Sequence, residues 1–181
     1  MIHFPKRYAD LVARLRVPSG FLIVVVFAWL SYPTAGSLEF GLPVAVAGLA
    51  LRAWAAGCLA KNRELSTSGP YAYTRNPLYL GTLMVALGLV IASRNWILGA
   101  LFAAVFLFVY LPVIQLEQEH LHTLFSGYAE YAGQVPALLP RLTPAPVKNP
   151  HPFQVSLYLK NQEYQAAIGF AAGTLYLLWK K

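Results

Sequence analysis

Residues 69–81, GPYAYTRNPLYLG, crowd side chains that could hold a ligand into one short stretch of an otherwise apolar chain. Pro77 suits the first turn of a helix and disfavours helix at the residue before it, so we predict a helix that begins at about Pro77 with Asn76 as its cap. The amides of that first turn would face a bound group, with Tyr79 beside them and Gly81 permitting a close approach. Spacing alone favours a simpler alternative, a capped helix with tyrosines at a membrane interface.

A second stretch, residues 113–140, places one acid where it could bind a cation. Apolar residues recur at helical spacing from Leu121 onward, which predicts an amphipathic helix over about 115–133. Glu117 lies four residues before Leu121 on that stripe, whereas Glu119 is rotated by about 200° and should face water. We therefore predict that Glu117 faces the protein interior, where an unpaired charge is costly. The alternative is a structural salt bridge to one of three arginines: Arg52, Arg63 or Arg75.

The composition predicts a membrane protein. Of the 181 residues, 57% are hydrophobic and only 12% are charged, whereas soluble domains carry about 25% charged residues. A helix needs about 20 mainly apolar residues to cross a bilayer. The runs that approach this length lie at about 17–36, 41–60, 77–93, 95–114 and 164–179.

The fifth run is short, so three alternatives stay open: it spans a thin region, lies obliquely, or packs inside the bundle. We predict one domain over residues 1–181, an all-α polytopic membrane helix bundle. It would have four to five transmembrane helices and a cytoplasmic amphipathic helix that extends from helix four.

The net charge of +7 follows the positive-inside rule and requires no nucleic acid. With a cytoplasmic N-terminus, the inner side carries most of the basic residues: Lys6, Arg7, Arg14, Arg16, Lys61, Arg63, Arg75, Arg141, Lys148 and Lys160. Arg94 lies outside, as do Lys180 and Lys181 if the fifth segment crosses. We predict a multi-pass integral membrane protein with its N-terminus on the cytoplasmic side, which is the inner membrane in a prokaryote.

Composition and motifs argue against several other site types. Cys58 is the only cysteine, and the four histidines include no pair at i, i+4 spacing that could bind a metal. Asp10 is the only aspartate, which argues against the magnesium sites used with diphosphate substrates. The chain has no G-x-S-x-G elbow, no P-loop and no G-x-G-x-x-G. We predict no metal site and no soluble nucleotide-binding fold.

Taken together, the two stretches resemble the isoprenylcysteine carboxyl methyltransferase and phospholipid methyltransferase superfamily. GPYAYTRNPLYLG is similar to its G-x-Y-x-x-x-R-H-P-x-Y-x-G signature. EQEHLHTLF, followed by YAEYAGQVPALLP, is similar to its E-E-x-x-L-x-x-x-F-G-x-x-Y-x-x-Y-x-x-x-V-P-R-x-x-P segment. The resemblance covers about residues 48–140. It implies S-adenosylmethionine as the cofactor, bound at the cytoplasmic side of a small bundle, and a lipid-like acceptor that approaches through the membrane.

The resemblance also assigns cofactor contacts. Matched position by position, these are Glu64, Leu65, Ser66, Tyr71, Asn76, Pro77, Leu78, Tyr79 and Glu117. Glu117 would hold the ammonium group of the cofactor, and Tyr71 or Tyr79 would offer an aromatic face to its adenine or sulfonium. Methyl transfer is an in-line displacement in which positioning supplies most of the catalysis. No residue is therefore assigned a catalytic role.

The chain departs from the family pattern at positions that bear on the acceptor. Asn76 replaces the usual histidine, Gln118 replaces the second acid, and Ala137 stands where an arginine usually follows V-P. The arginine that holds the acceptor carboxylate in the eukaryotic prenylcysteine enzymes would fall on Val113. Arg52, deep in the second span, would anchor an acceptor carboxylate or phosphate, or form a structural ion pair. The residues kept as substrate contacts or structural residues are Arg52, Arg75 and Gln118.

The leading hypothesis is methyl transfer to a carboxyl group of an isoprenylcysteine-like or other lipid-like acceptor. A carboxylate needs no general base, whereas an amine must first lose a proton. The nearest alternative is a phospholipid N-methyltransferase acting on a phosphatidylethanolamine-type amine. An NADPH-dependent sterol-reductase-like protein would share a similar helix start, but the chain is short and has no basic cluster placed for the 2′-phosphate. A non-catalytic membrane protein that keeps the fold is the remaining alternative.

Overall fold

The chain is helical, with no strand over the residues that the computed structural model describes, 4–147 and 150–181. Its α-helices are α1 Lys6–Leu30, α2 Ala35–Gly57, α3 Pro77–Ser93, α4 Trp96–Val105, α5 Leu111–Leu124, α6 Tyr128–Gln134, α7 Val155–Lys160 and α8 Tyr164–Lys180. A 3₁₀ helix, Gly69–Ala72, precedes α3, and a π-helical turn, Phe106–Tyr110, joins α4 to α5. Lys148 and the side chain of Arg16, two of the predicted inner-side cations, lie outside the described part of the chain, as does His3.

Two helices in the described ranges are long and apolar enough to cross a membrane: α2, and the continuous run Trp96–Leu124 formed by α4, the π turn and α5. A third candidate is α1, whose parts Lys6–Leu15 and Pro18–Leu30 meet at a bend of 53°. Helix α3 begins at Pro77 as predicted and is apolar, but at 17 residues it is shorter. The number of four to five spans stays a prediction.

Helix α1 begins at Lys6, ahead of the uncharged run at 17–36. Its first turns bury Ala9 and Val12 in the protein. Tyr8 from the same turns donates a hydrogen bond of 2.7 Å to Phe108 O in the π turn. The first turns of α1 are therefore amphipathic. A search for uncharged runs does not find them, because they contain charged residues.

The amphipathic helix predicted over 115–133 is two helices. Helix α5 ends at Leu124, and α6 begins at Tyr128 after Phe125 takes an extended conformation. Gly127, which lies in the break, is less favourable in a helix than the residues that flank it. The break turns α6 away from the axis of α5 and toward the loop before α3.

Helices α2 and α3 pack with their backbones in close contact. A Cβ placed on Gly48 would lie 2.6 Å from Gly81 O, and one placed on Gly88 would lie 2.5 Å from Ala45 N. Gly81 itself faces Gly48 O and Arg52, so the predicted close approach at this residue is confirmed. Small residues permit such contact between membrane helices, where van der Waals packing drives association.

The two ends of the bundle carry different residues. At one, here called the far end, Asn95 Nδ2 donates to Leu30 O at 2.9 Å and Lys180 Nζ donates to Ala28 O at 2.7 Å. The opposite end, here called the motif end, holds the end of α2, the start of α3 and residues 58–76. Helix α8 begins near the motif end and finishes at the far end, so it runs along the whole bundle.

An ion pair fixes the start of α8. Arg52 Nε lies 2.6 Å from Glu163 Oε1, and Arg52 Nη2 donates to Glu163 Oε2 at 3.0 Å. Arg52 Nη1 also donates to Thr82 Oγ1 and, at 3.4 Å, to Leu78 O. These contacts match the structural alternative for Arg52, whose guanidinium ties α2, α3 and α8 together.

We expect Gly88→Ala to destabilise the protein, because the added methyl group must displace the backbone of α2 at Ala45. Overpacking of this kind costs about 1–3 kcal/mol. The melting temperature in detergent should fall for Gly88→Ala and stay equal or rise for the control Gly173→Ala, which has open space at that position. Alanine favours helix over glycine by about 1 kcal/mol at both sites. Equal shifts for the two variants would contradict the close contact.

We also expect Glu163→Gln to destabilise the protein, because it leaves the Arg52 charge without its acid. Breaking a fully buried pair costs about 3–5 kcal/mol, and the 23% exposure of the Arg52 side chain reduces that cost. The double variant Arg52→Met/Glu163→Gln removes the stranded charge and should recover most of the lost melting temperature. A double variant less stable than Glu163→Gln would argue against an ion pair that acts mainly as a structural link.

Candidate functional site

Hydrogen bonds join the two sequence stretches at the motif end. Residues 136–145, here called the proline segment, run beside residues 72–76, which lead into α3. Three backbone N–H···O bonds of 2.9 Å fasten them: Arg75 to Pro136, Arg141 to Tyr73, and Ala145 to Ala72. The two stretches therefore form one unit around the start of α3.

Asn76 occupies the cap position of α3, as predicted, but its side chain does not cap the helix. Its Nδ2 donates to Ala137 O in the proline segment at 2.7 Å. Thr74 adds a hydrogen bond from its Oγ1 to Leu138 O at 3.0 Å. Asn76 and Ala137 are two of the positions that depart from the family pattern, and in this chain they contact each other. The amide at position 76 thus fixes the start of α3 to the proline segment.

Glu117 and Tyr79 meet across α5 and α3. The Tyr79 hydroxyl donates to Glu117 Oε1 at 3.0 Å, and the Tyr79 ring packs edge-on against Tyr110 with 5.9 Å between centroids. The acid therefore faces the first turn of α3, the element that the resemblance assigns to the cofactor. Arg52, one of its three proposed salt-bridge partners, pairs with Glu163 instead.

The prediction that Glu117 is turned away from solvent is wrong, because its side chain is exposed. Gln115, two residues earlier, is still buried, but Leu124 at the end of α5 is 43% exposed. From Glu117 onward, α5 exposes Glu119, His120 and Leu124, whereas Leu121 on the apolar stripe is half-buried.

Glu119 is exposed, as predicted, and belongs to a different contact. Gln115 Nε2 donates to Glu119 Oε1 at 2.8 Å, while Gln115 Oε1 accepts from the backbone N of Phe4 at 2.8 Å. This contact fastens the chain just before α1 to α5. Glu119 therefore offers the same charge as Glu117 on the same helix without facing Tyr79.

Tyr71 lies in the core of the motif end. It is only 6% exposed and packs with Ala55 and Cys58 of α2. Burial raises the pKa of Tyr71, with a smaller contribution from neighbouring Tyr131 and further ones that include Glu117. The phenol therefore stays neutral and able to donate a hydrogen bond. Tyr131 from α6 donates to Tyr71 O at 2.8 Å, which adds another link between the two stretches.

Several buried polar atoms at the predicted site have no hydrogen-bond partner among the described residues. They include Ser66 Oγ, Gln118 Nε2 and Arg75 Nε, and a further one is Thr174 Oγ1 on α8. Native proteins satisfy nearly all such atoms. Ser66 is one of the predicted cofactor contacts, and Arg75 and Gln118 are residues predicted as substrate contacts or structural residues. Their roles stay predictions.

Other predicted contacts lie apart from the Tyr79–Glu117 pair. Glu64 is exposed, with its Oε2 3.5 Å from His151 Nε2. Leu65 lines a cavity of about 310 Å³ together with Tyr131 and His151. Pro77 is buried, and Leu78 contributes its carbonyl to the Arg52 contacts. Arg75 Nη1 donates to the Tyr128 hydroxyl at 3.3 Å, which ties it to α6.

Sequence reasoning missed Thr74 and Glu163. Thr74 is 1% exposed, and its position inside the conspicuous 69–81 stretch was the available signal. Glu163 is separated from Arg52 by 111 residues. A signal existed there too, because an arginine deep in an apolar helix needs an acid and Glu163 stands directly before the fifth apolar segment.

The described residues contain no group of three or more histidine, cysteine, aspartate or glutamate side chains placed to hold a metal ion.

Comparison with known proteins gives a family match and several relatives. Residues 44–127 match the family described as phospholipid methyltransferase. The cobalt-zinc-cadmium resistance protein CzcN of Cupriavidus metallidurans is 41% identical over 46% of this chain and 38% of its own length. The nickel-cobalt-cadmium resistance protein NccN of Alcaligenes xylosoxydans xylosoxydans is 32% identical over 64% of this chain and 54% of its own length.

A eukaryotic relative matches over a longer segment. The protein-S-isoprenylcysteine O-methyltransferase of Schizosaccharomyces pombe is 30% identical over 75% of this chain and 59% of its own length. The chain thus spans between 38% and 59% of the length of these three relatives. No solved structure matches it. The matched segment contains α3 and Glu117, and it matches the superfamily of phospholipid and isoprenylcysteine methyltransferases that the two sequence stretches resemble.

Proposed function

We propose that this protein is an integral-membrane methyltransferase that moves a methyl group from S-adenosylmethionine to a carboxyl group of an isoprenylcysteine-like or other lipid-like acceptor. The observation that carries the proposal is the set of unpartnered buried atoms, Ser66 Oγ, Arg75 Nε and Gln118 Nε2, at the end of the bundle where the two family stretches meet. The family match supports methyl transfer as the reaction class.

The residues at the motif end suit the polar groups of the cofactor. When bound, S-adenosylmethionine would supply an electrophilic methyl group on a cationic sulfonium. Glu117 would hold the ammonium group, since a charge-assisted hydrogen bond is about twice as strong as a neutral one. Tyr79, which donates to Glu117 at 3.0 Å, would fix the carboxylate in place. Ser66 and Gln118 would satisfy their free polar atoms on the remaining groups of the cofactor.

The reaction would proceed by positioning. The acceptor oxygen must lie in line with the methyl group, and holding two reactants in that geometry can supply most of the rate enhancement. The links among α3, α5 and the proline segment would keep the cofactor residues rigid while the acceptor enters. A carboxylate acceptor is already ionised, so the chain needs no base for this reaction.

In this proposal, the residue that binds the acceptor carboxylate differs from the arginine that the eukaryotic prenylcysteine enzymes use. Val113, at the position of their carboxylate-binding arginine, is apolar and 4% exposed. Arg52 is committed to Glu163. A phospholipid amine is therefore the second candidate acceptor, favoured by the family description of the matched segment. It would require a base to remove a proton before transfer.

We further propose a multi-pass membrane topology of four to five spans with the motif end and the N-terminus in the cytoplasm. Support comes from charge. The basic residues Lys61, Arg63, Arg75, Arg141 and Lys160 belong to the loops and short helices of the motif end, whereas Arg94 and Lys180 belong to the far end. Loops with the excess of basic residues face the cytoplasm.

We expect the purified protein in detergent to bind S-adenosylhomocysteine, and Glu117→Gln to weaken that binding by roughly 10- to 100-fold. This range corresponds to the roughly 1.5–3 kcal/mol of a hydrogen bond to a charged group. Glu119→Gln is the matched control, because it removes the same charge two residues away on a side chain that contacts Gln115. Isothermal titration calorimetry gives the affinities.

Two results of that titration would contradict the cofactor assignment. One is the absence of S-adenosylhomocysteine binding to the wild type, and the other is equal weakening by Glu117→Gln and Glu119→Gln. A parallel titration with NADPH tests the sterol-reductase-like alternative. If the protein binds NADPH and not S-adenosylhomocysteine, the result supports the sterol-reductase-like function and contradicts the methyltransferase proposal.

A transfer assay with methyl-tritiated S-adenosylmethionine distinguishes the acceptors. We expect label in a prenylcysteine analogue with a free carboxyl group and none in the same analogue with that group amidated, because the amide removes the nucleophilic oxygen. Base-labile label identifies a methyl ester. Label in phosphatidylethanolamine, resistant to base, would instead favour the amine acceptor and refute the carboxyl assignment.

A further inference from the structure

A second cavity opens at the motif end, beside the end of α2. It has a volume of about 290 Å³, and its charged lining consists of Lys61, Arg63, Glu64 and Lys160. Three cations thus face one acid, and Glu64 is already placed 3.5 Å from His151. The three cations form no ion pair with a described acid. The cavity therefore has an excess of positive charge that nothing in the described chain neutralises.

The backbone around this cavity is fixed. Asn161 Nδ2 donates to Ala56 O and to Leu59 O, both at 2.9 Å, which satisfies carbonyls at the end of α2. Asn62 and Gln162 adopt left-handed conformations with φ of 59° and 55°, a region that non-glycine residues enter rarely. Because Asn161 already serves these carbonyls, the neighbouring cations are left for an external anion.

The cavity lies where a membrane-spanning helix ends. Helix α2 finishes at Gly57, and the ring of Phe153 packs directly on that glycine. Helix α7, which carries Lys160, leaves Val155 62% and Leu159 55% exposed. Exposed apolar side chains next to basic ones suit the boundary between acyl chains and headgroups.

We propose that this cavity binds the phosphate headgroup of an anionic phospholipid. Lys61, Arg63 and Lys160 would contact the phosphate, and the apolar side chains of α7 would lie along the first part of the acyl chains. The site is separate from the contact between Tyr79 and Glu117. Among the predicted cofactor contacts, only Glu64 lines it. The bound lipid would hold α7 against the end of α2.

The test uses the full chain in a neutral detergent and follows its melting temperature. Three additions are compared: phosphatidylglycerol, phosphatidylcholine and inorganic phosphate. We expect phosphatidylglycerol to raise the melting temperature at concentrations at which the other two do not. In Lys61→Gln/Lys160→Gln the concentration needed should rise by roughly tenfold or more, because each cation near an anionic lipid contributes substantially to binding.

The control variant Lys6→Gln/Arg7→Gln removes two exposed cations from the start of α1, which does not line the cavity. It should respond to phosphatidylglycerol as the wild type does. The proposal is overturned if phosphatidylcholine stabilises the wild type equally, if the cavity variant keeps the full response, or if the control loses it. A response to inorganic phosphate alone would assign the cavity to a soluble anion instead. None of these outcomes depends on binding of S-adenosylhomocysteine, so they are independent of the proposed function.

Discussion

The close backbone contact between α2 and α3 is the constraint on which the rest of the structure depends. Gly48 and Gly81 allow the two helices to touch. This contact fixes the position in space of Pro77, the first residue of α3, at the motif end. It also brings Arg52 within reach of Leu78 O and Thr82. The start of α3, which carries Asn76 and Tyr79, is therefore positioned by packing among small residues rather than by large apolar side chains.

Sequence reasoning succeeded where a signal was local. Pro77 determined the start of α3 because proline restricts the residue before it and fits a first helical turn. The uncharged run at 77–93 has the same bounds as α3, whereas α2 begins at Ala35, well before the run at 41–60. The two family stretches, linked in the fold through Asn76 and Ala137, identified the family that residues 44–127 match.

Sequence reasoning failed where the burial or the partner of a side chain depended on tertiary structure. Periodicity placed Glu117 and Leu121 on one stripe, but it does not say how far along that stripe neighbouring helices cover it. Leu121 is half-buried, whereas Glu117 is exposed. The pair formed by Arg52 and Glu163 joins elements 111 residues apart, for which a single sequence gives only the residue types. The burial of Tyr71 against Ala55 and Cys58 of α2 likewise depends on tertiary structure, and its predicted contact with the cofactor stays a prediction.

The hydrogen bonds between the proline segment and the start of α3 have a consequence for biosynthesis. Asn76 finds its partner Ala137 61 residues later in the chain. During synthesis α2 and α3 can pair as soon as both have left the ribosome, whereas residues 72–76 must wait until α4, α5 and α6 have followed. A nascent chain that stops before residue 136 would therefore hold a paired helical hairpin with its polar loop still unclosed. The proline segment can therefore close this loop only after α2 and α3 have been able to pair.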